Sequence, residues 1–204
     1  QSMYEGSSPM KSDMHHLRPS KSNVNSSRGN KPFNENPDNQ TNTWFWLNYQ
    51  SNSIPTNNIN EYSESGSQYF EPREDMKGDI ARSMFYFYTI YPNEANDNFF
   101  ESQKNILFSW HTNDIITNDE ILRTWEIASY QNNIPNPFIL DDTLVQRAFF
   151  YVEQEIGDVN LDGLINVVDV VNLVNYILEI TELSYSSLIQ ADIDSNNQIN
   201  VVDV

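Results

Sequence analysis

Asp13-Met14-His15-His16-Leu17-Arg18-Pro19, followed by Val24-Asn25-Ser26-Ser27-Arg28-Gly29-Asn30, is the stretch on which the reading of this chain depends. Residues 12–18 have the character of a strand, closed by Pro19, which cannot donate to a ladder. Residues 23–29 have the spacing of a short helix or turn, ended by Gly29-Asn30. Adjacent side chains of a strand point to opposite faces. Asp13, His15 and Leu17 would then share one face, and Met14, His16 and Arg18 the other. With one histidine buried beside Asp13 and the other facing a cleft with Arg18, the set can hold a phosphate. Asn25 and Arg28 lie three apart, on one helical face. An amide oxygen ligates a hard cation such as Mg2+, and a guanidinium grips phosphate oxygens bidentately. On side-chain chemistry alone, ordinary surface residues compete with this reading.

Outward from this stretch, residues 1–12 read as loop. Residues 30–66 are dense in Asn, Ser, Pro and Gly, and the aromatic run Trp44-Phe45-Trp46-Leu47-Asn48-Tyr49 suggests one or two short strands there. From Lys77 the period turns helical. Ile80, Met84, Phe87, Tyr88 and Tyr91 recur at three and four, and Pro92 stops the helix. Further helices are predicted over residues 98–108, over 118–130 with Thr117 or Asn118 as N-cap, and over 142–150, with a loop at 133–137. Ile121, Leu122, Trp125, Ile127 and Ala128 are the apolar positions of the 118–130 helix, and the aromatics read as core. Short strands followed by a run of helices make an α+β domain.

The chain has 204 residues, 38% hydrophobic and 13% aromatic, which is enough to bury a core and excludes full-length disorder. No apolar run reaches the length of a membrane span. The longest, Met84-Phe85-Tyr86-Phe87-Tyr88-Thr89-Ile90-Tyr91, is too short and too rich in tyrosine. The absence of cysteine excludes disulfide frameworks, thiolate zinc sites and cysteine nucleophiles. The net charge of −18 argues at first against nucleic acid, but it is unevenly spread. All 11 Lys and Arg fall in residues 1–150, against 19 acids, whereas residues 151–204 hold ten acids and no base. That shift marks a domain boundary within 149–157. Lys11, Arg18, Lys21, Arg28 and Lys31 share one window with His15, His16 and a single acid, Asp13.

Residues 158–169 read Asp-Val-Asn-Leu-Asp-Gly-Leu-Ile-Asn-Val-Val-Asp. Asp158, Asn160, Asp162, the Leu164 carbonyl, Asn166 and Asp169 place oxygen at positions 1, 3, 5, 7, 9 and 12 of a Ca2+ loop, with Gly163 at the sharp turn. Asp192, Asp194, Asn196, Gln198, Asn200 and Asp203 repeat the pattern, with Asn197 in the glycine position. An apolar helix is predicted over 167–178. A duplicated loop ending in Asp and followed by one helix resembles the type I dockerin. The resemblance implies Ca2+-dependent folding and a cohesin-like partner on a scaffold or cell surface. Val167-Val168 and Val201-Val202 occupy positions that often contribute to partner choice. A calcium-stabilised spacer with no partner is the bland alternative.

The first stretch, continued by Glu71-Pro72-Arg73-Glu74-Asp75-Met76-Lys77-Gly78-Asp79-Ile80-Ala81-Arg82, Met84-Phe85-Tyr86, Trp110-His111 with Asp114, and Gln131 to Asn136-Pro137-Phe138-Ile139, resembles the bacterial endonuclease I family. That family comprises secreted or periplasmic nucleases with a ββα-metal (His-Me finger) site. The resemblance implies hydrolysis of DNA, and of RNA as a further substrate, with little sequence preference, using Mg2+ or another divalent cation. It implies Asn25 as a metal ligand, Arg28 as its companion, and Asp13 with His15 on the second strand of the hairpin. His15, His16 and Arg28 would then support catalysis, and Arg18 and Arg28 bind phosphate. An extracellular or cell-surface location follows from the same resemblance.

The pattern also departs from the family. The Glu-His pair that supplies a metal ligand and the general base is expected upstream of Gln1, so the chain reads as a fragment, truncated at its first strand and within its second calcium repeat, and inactive by itself. Thr124 follows Arg123 where asparagine is usual, and Ile134-Pro135 stands where an arginine is usual. The expected layout is a nuclease domain over 1–150, a linker over 151–156 and an all-α dockerin-like module over 157–204. His111 reads as a structural hydrogen-bonding residue. Glu71, Glu74 and Asp75 read as a solvated acidic loop rather than a second metal site. The competing functions are a non-catalytic calcium-binding adhesion protein and, behind it, a dockerin-bearing carbohydrate-active enzyme.

Overall fold

The computed structural model describes residues 10–150 and 155–204. The loop expected over 1–12 and the linker over 151–156 therefore lie partly outside the described residues. The chain divides into two compact units between Ala148 and Phe149.

The first unit mixes sheet and helix. After α1 (Ser22–Arg28) come β1 (Thr41–Trp46), β2 (Tyr49–Ser51), β3 (Ser63–Gly66) and β4 (Phe70–Glu71), then α2 (Lys77–Ile90). The strands form an antiparallel sheet in the order β2-β1-β3-β4. α3 (Asp97–Glu101), α4 (Lys104–Asn113), α5 (Asn118–Tyr130), α6 (Pro137–Leu140) and α7 (Leu144–Phe149) complete it. α2 is apolar on most of its circumference and so occupies the centre. Ala81, Met84, Phe85, Phe87 and Tyr88 are buried against Leu107 and Trp110 of α4 and Phe138 and Ile139 of α6. Tyr88 stacks on Phe100 with ring centroids 3.9 Å apart. α5 starts at Thr117 in a capping box with Glu120.

Three expectations need correction. The helix over 98–108 is two helices, α3 and α4, broken at Ser102-Gln103, where buried Gln103 turns its side chain to accept the Phe33 N–H at 2.9 Å. On α5, Ile127 and Ala128 are buried, but Leu122 and Trp125 are exposed. The α5 face turned inward carries Glu120 and Thr124 instead, because they serve buried polar partners. The strand over 12–18 does not form. Met10–Ser12 is a single 3-10 turn and the chain through Ser20 is irregular.

The second unit contains α8 (Val167–Ile177) and α9 (Tyr185–Ala191). Val159, Leu173 and Ala191 form its core, with Ile177, Leu183 and Ile199 packed around them. The Gly157 N–H donates to the Gln190 carbonyl at 2.8 Å, tying one repeat to the other.

Candidate functional site

The irregular path of residues 13–19 has a local cause. The Asp13 carboxylate accepts the His15 N–H at 2.9 Å, and such a side-chain turn competes with ladder pairing. Asp13 is buried and also accepts from Gln131 Nε2 (2.8 Å), the Tyr86 hydroxyl (3.0 Å) and the Tyr91 hydroxyl (2.8 Å). Burial alone would raise its pKa. The hydrogen bonds outweigh burial and hold it below the usual carboxylate range. α5 and the loop after it bind this segment from the other side. Arg123 Nη2 donates to the Met14 and Leu17 carbonyls at 3.0 and 2.9 Å, and Gln131 Oε1 accepts the Met14 N–H at 2.8 Å.

The two histidines take different positions. His15 is 1% exposed, its Nε2–H donates to the Ile134 carbonyl at 2.9 Å, and its Nδ1 faces the Thr124 hydroxyl at 3.4 Å. Thr124 Oγ1 already accepts the Asn136 N–H, so its hydroxyl proton is free to point at Nδ1. Both ring nitrogens of His15 are thus engaged inside the protein. His16 is half-buried, donates from Nε2 to the Met10 carbonyl at 2.8 Å, and meets the Phe87 ring edge-on. Burial pushes both histidine pKa values down, which keeps both rings neutral at pH 7.

His16, Arg18, Asn25 and Arg28 line one cavity of about 320 Å3, whose apolar walls include Phe33, Phe70, Ile80 and Met84. Arg18 Nη1 is paired with Asp79 at 2.7 Å. Arg28 is 9% exposed, and its Nε and Nη2 have no hydrogen-bond partner among the described residues. The Phe33 ring lies 4.6 Å from the guanidinium carbon. Burial pushes the Arg28 pKa down. Asn25, on the same face of α1, is exposed. No carboxylate lines the cavity, so its lining offers a cation neutral side-chain oxygens only, those of Asn25, Ser20 and Ser83.

The acidic loop is solvated as expected at Glu74 and Asp75 but not at Glu71. Glu71 is buried, and it shares the Lys77 ammonium with Glu35 and Glu74 at 2.8, 2.8 and 2.7 Å. Glu74 and Asp75 stay exposed, Glu74 paired with Lys77 and Asp75 with Arg73. Burial pushes the Glu71 carboxyl up to about 7. These three carboxylates are grouped closely enough to hold an ion, but Lys77 already supplies the positive charge among them. His111 is buried and its Nε2–H donates to the Asp142 carbonyl at 2.8 Å.

In the second unit both predicted loops close on themselves. Asp158 accepts the Asp162 and Gly163 N–H groups (3.1 and 2.9 Å), and Asp169 accepts those of Asn160 and Asn166 (3.0 and 2.8 Å). The Leu164 carbonyl accepts from Asn166 at 3.1 Å. Asp192 and Asp203 repeat the arrangement around Asp194, Asn196, Gln198 and Asn200. Gly163 (φ 83°) and Asn197 (φ 63°) both take the left-handed turn. The carboxylates of Asp192, Asp194 and Asp203 converge within 4.8 Å of one another. No lysine or arginine exists in this unit to neutralise them, so the donor set fits a cation.

The family model described as Endonuclease I matches residues 1–143. The chain belongs to the endonuclease I family. The dockerin type I domain model matches residues 156–204. An extracellular ribonuclease of Bacillus subtilis (strain 168) is 31% identical over 146 residues, covering 62% of this chain and 43% of the relative. An extracellular ribonuclease of Bacillus amyloliquefaciens is 30% identical over the same length and shares. The chain thus spans less than half the length of the curated relatives it matches. No solved structure matches. No helix among the described residues is long and apolar enough to cross a membrane.

Within the endonuclease I domain, several residues around the cavity escape a reading by motif. Phe33 sits in a loop with no period to mark it. Arg123 and Gln131 lie more than 100 residues from the loop they hold. Glu35 meets Lys77 and Trp110, far from it in sequence. Thr124, a departure from the family pattern, is the group that meets His15.

Proposed function

We propose that this protein is a secreted, metal-dependent endonuclease that hydrolyses phosphodiester bonds of DNA or RNA, linked to a calcium-binding dockerin module. The observation that carries this reading is Arg28: a buried guanidinium with two donor nitrogens unsatisfied, on a residue that lines the cavity with His16, Arg18 and Asn25. A buried cation without a partner is costly, and a phosphate group supplies the missing acceptors. The endonuclease I match and the two extracellular ribonucleases support the same class of chemistry.

In this reading Arg28 binds the phosphate and neutralises charge as water adds to phosphorus and the P–O bond to the leaving oxygen breaks. Neutral His16 borders the phosphate, and His15 holds the loop through Ile134 and Thr124 without touching substrate. A divalent cation supplies Lewis acidity when bound, with Asn25 as its neutral ligand. The dockerin loops take Ca2+ through the residues named above and would present the nuclease to a cohesin-like protein outside the cell.

The test is cleavage of supercoiled plasmid and of single-stranded RNA by the protein as its gene encodes it. Mg2+-dependent cleavage that EDTA stops and Arg28→Ala reduces supports the reading. Absence of metal-dependent cleavage of either substrate overturns it in favour of a calcium-binding adhesion protein.

A further inference from the structure

A second concavity adjoins the proposed phosphate site. Met14, Leu17, Arg18 and Pro19 form one wall of a groove of about 510 Å3, and Arg123, Glu126, Ile127 and Tyr130 of α5 form the other. The α5 residues are spaced three, four and seven apart from Arg123, so they lie on one helical face. Leu17 and Arg18 line both this groove and the Arg28 cavity. The two spaces are therefore neighbours across one short piece of backbone.

The groove has the make-up of a stacking site. Tyr130, at the end of α5, is 77% exposed, and Met14 beside it is also exposed. Arg123 spends Nη2 on the Met14 and Leu17 carbonyls, while its buried Nη1 has no hydrogen-bond partner among the described residues. Arg18 and Arg123 line the groove beside Glu126, Arg18 being paired with Asp79. Single-stranded nucleic acid is bound by such combinations: aromatic faces for the bases and guanidinium groups for the backbone. Stacking reads no base edge, which suits a nuclease of low sequence preference.

We infer that this groove is a subsite for the nucleotide flanking the phosphate at Arg28, its base stacked on Tyr130 and its backbone charge met by Arg123. The inference rests on the nuclease reading of the Arg28 cavity and adds a single-stranded, base-bearing substrate to it. Duplex DNA, whose bases are already stacked, has no base to offer the groove.

The test is fluorescence anisotropy of the full chain, in calcium without magnesium, with a short labelled oligothymidylate and with an abasic strand of the same length. Tyr130→Ala is expected to weaken oligothymidylate binding about tenfold, while Tyr130→Phe, which keeps the ring, binds as wild type. The abasic strand should bind equally to the wild type and to Tyr130→Ala. Equal oligothymidylate affinity of the wild type and Tyr130→Ala overturns the subsite, and Arg28→Ala then shows whether the phosphate reading survives. If Arg28→Ala binds both strands as the wild type does, the phosphate site itself fails, and the subsite falls with it. Tyr130 is a solvent-facing terminal residue of α5, and unchanged circular dichroism verifies that each variant is folded.

Discussion

The Phe33 ring lies 4.6 Å from the Arg28 guanidinium carbon and holds the cation through its face, leaving Nε and Nη2 unbonded. A hydrogen-bonding partner in place of the ring would consume the donors that a phosphate needs. The arrangement is costly for the empty protein, because a desolvated cation has no counter-ion there. Arg28→Met is therefore expected to raise stability by about 1–3 kcal/mol while abolishing most oligonucleotide binding. Urea unfolding followed by tryptophan fluorescence checks the first half. All four tryptophans lie in the nuclease unit, so the signal reports on it alone. A variant that loses stability shows that Arg28 has a structural partner instead.

Gly78 sits where α2 meets Asp114. A Cβ there would come within 2.1 Å of Asp114 Oδ2 and 2.4 Å of its Cβ, so the aspartate would have to leave. Asp114 is one of the carboxylates paired with Arg82, which is fully buried. Gly78→Ala is expected to destabilise the nuclease unit by about 2–3 kcal/mol, seen as a lower urea midpoint. An unchanged midpoint would mean that Asp114 contributes nothing to holding Arg82.

Burial pushes the Glu64 carboxyl up to about 7, against the help of the Thr41 hydroxyl and with added repulsion from Glu71, directly opposite it on β4, and from Asp38. Lys77 pulls weakly the other way. The folded state keeps a proton that the unfolded chain releases from about pH 4.5, so this group's stability contribution is lost as the pH rises to 7. Glu64→Gln should match the wild type at pH 5 and exceed it at pH 8, by on the order of 2 kcal/mol. The buried histidines bias the whole curve the opposite way below pH 6.5, but they are common to both proteins and cancel in the difference. A pH-independent difference counts against a raised Glu64.

Calcium titration by calorimetry should show one binding event per loop. Asp158→Ala is expected to remove the first and Asp192→Ala the second. EDTA should lower the α-helical circular dichroism of residues 149–204 and leave the tryptophan signal unchanged. Full binding by both variants would show that position 1 of each loop does not ligate.

Most helices and the two closed Asp-rich loops were legible because their signals are local. Thr117 caps α5 three residues before Glu120, and the oxygen ligands of 158–169 are counted off within twelve positions. The misread segment, residues 12–18, fails for the opposite reason. Its alternation looked like a strand, but Asp13 turns back to the His15 N–H, and no motif in that window foretells it. Glu71 was misread because its counter-ion, Lys77, lies six residues on, and Glu35 thirty-six before. Charge neutralisation at that range is a property of the fold.

Among the hydrogen bonds that shape residues 13–17, those to Arg123, Gln131 and Ile134 span sequence separations between 106 and 119. Loop closure over such distances is among the later steps of folding, since its entropic cost must be met before any bond forms. A chain ending before residue 123 would hold every residue that lines the cavity and still lack the partners that fix the 13–17 loop on one of its sides. The order of synthesis thus separates possession of the cavity's residues from the bonds that fix its loop, and that separation ends when Ile134 is in place.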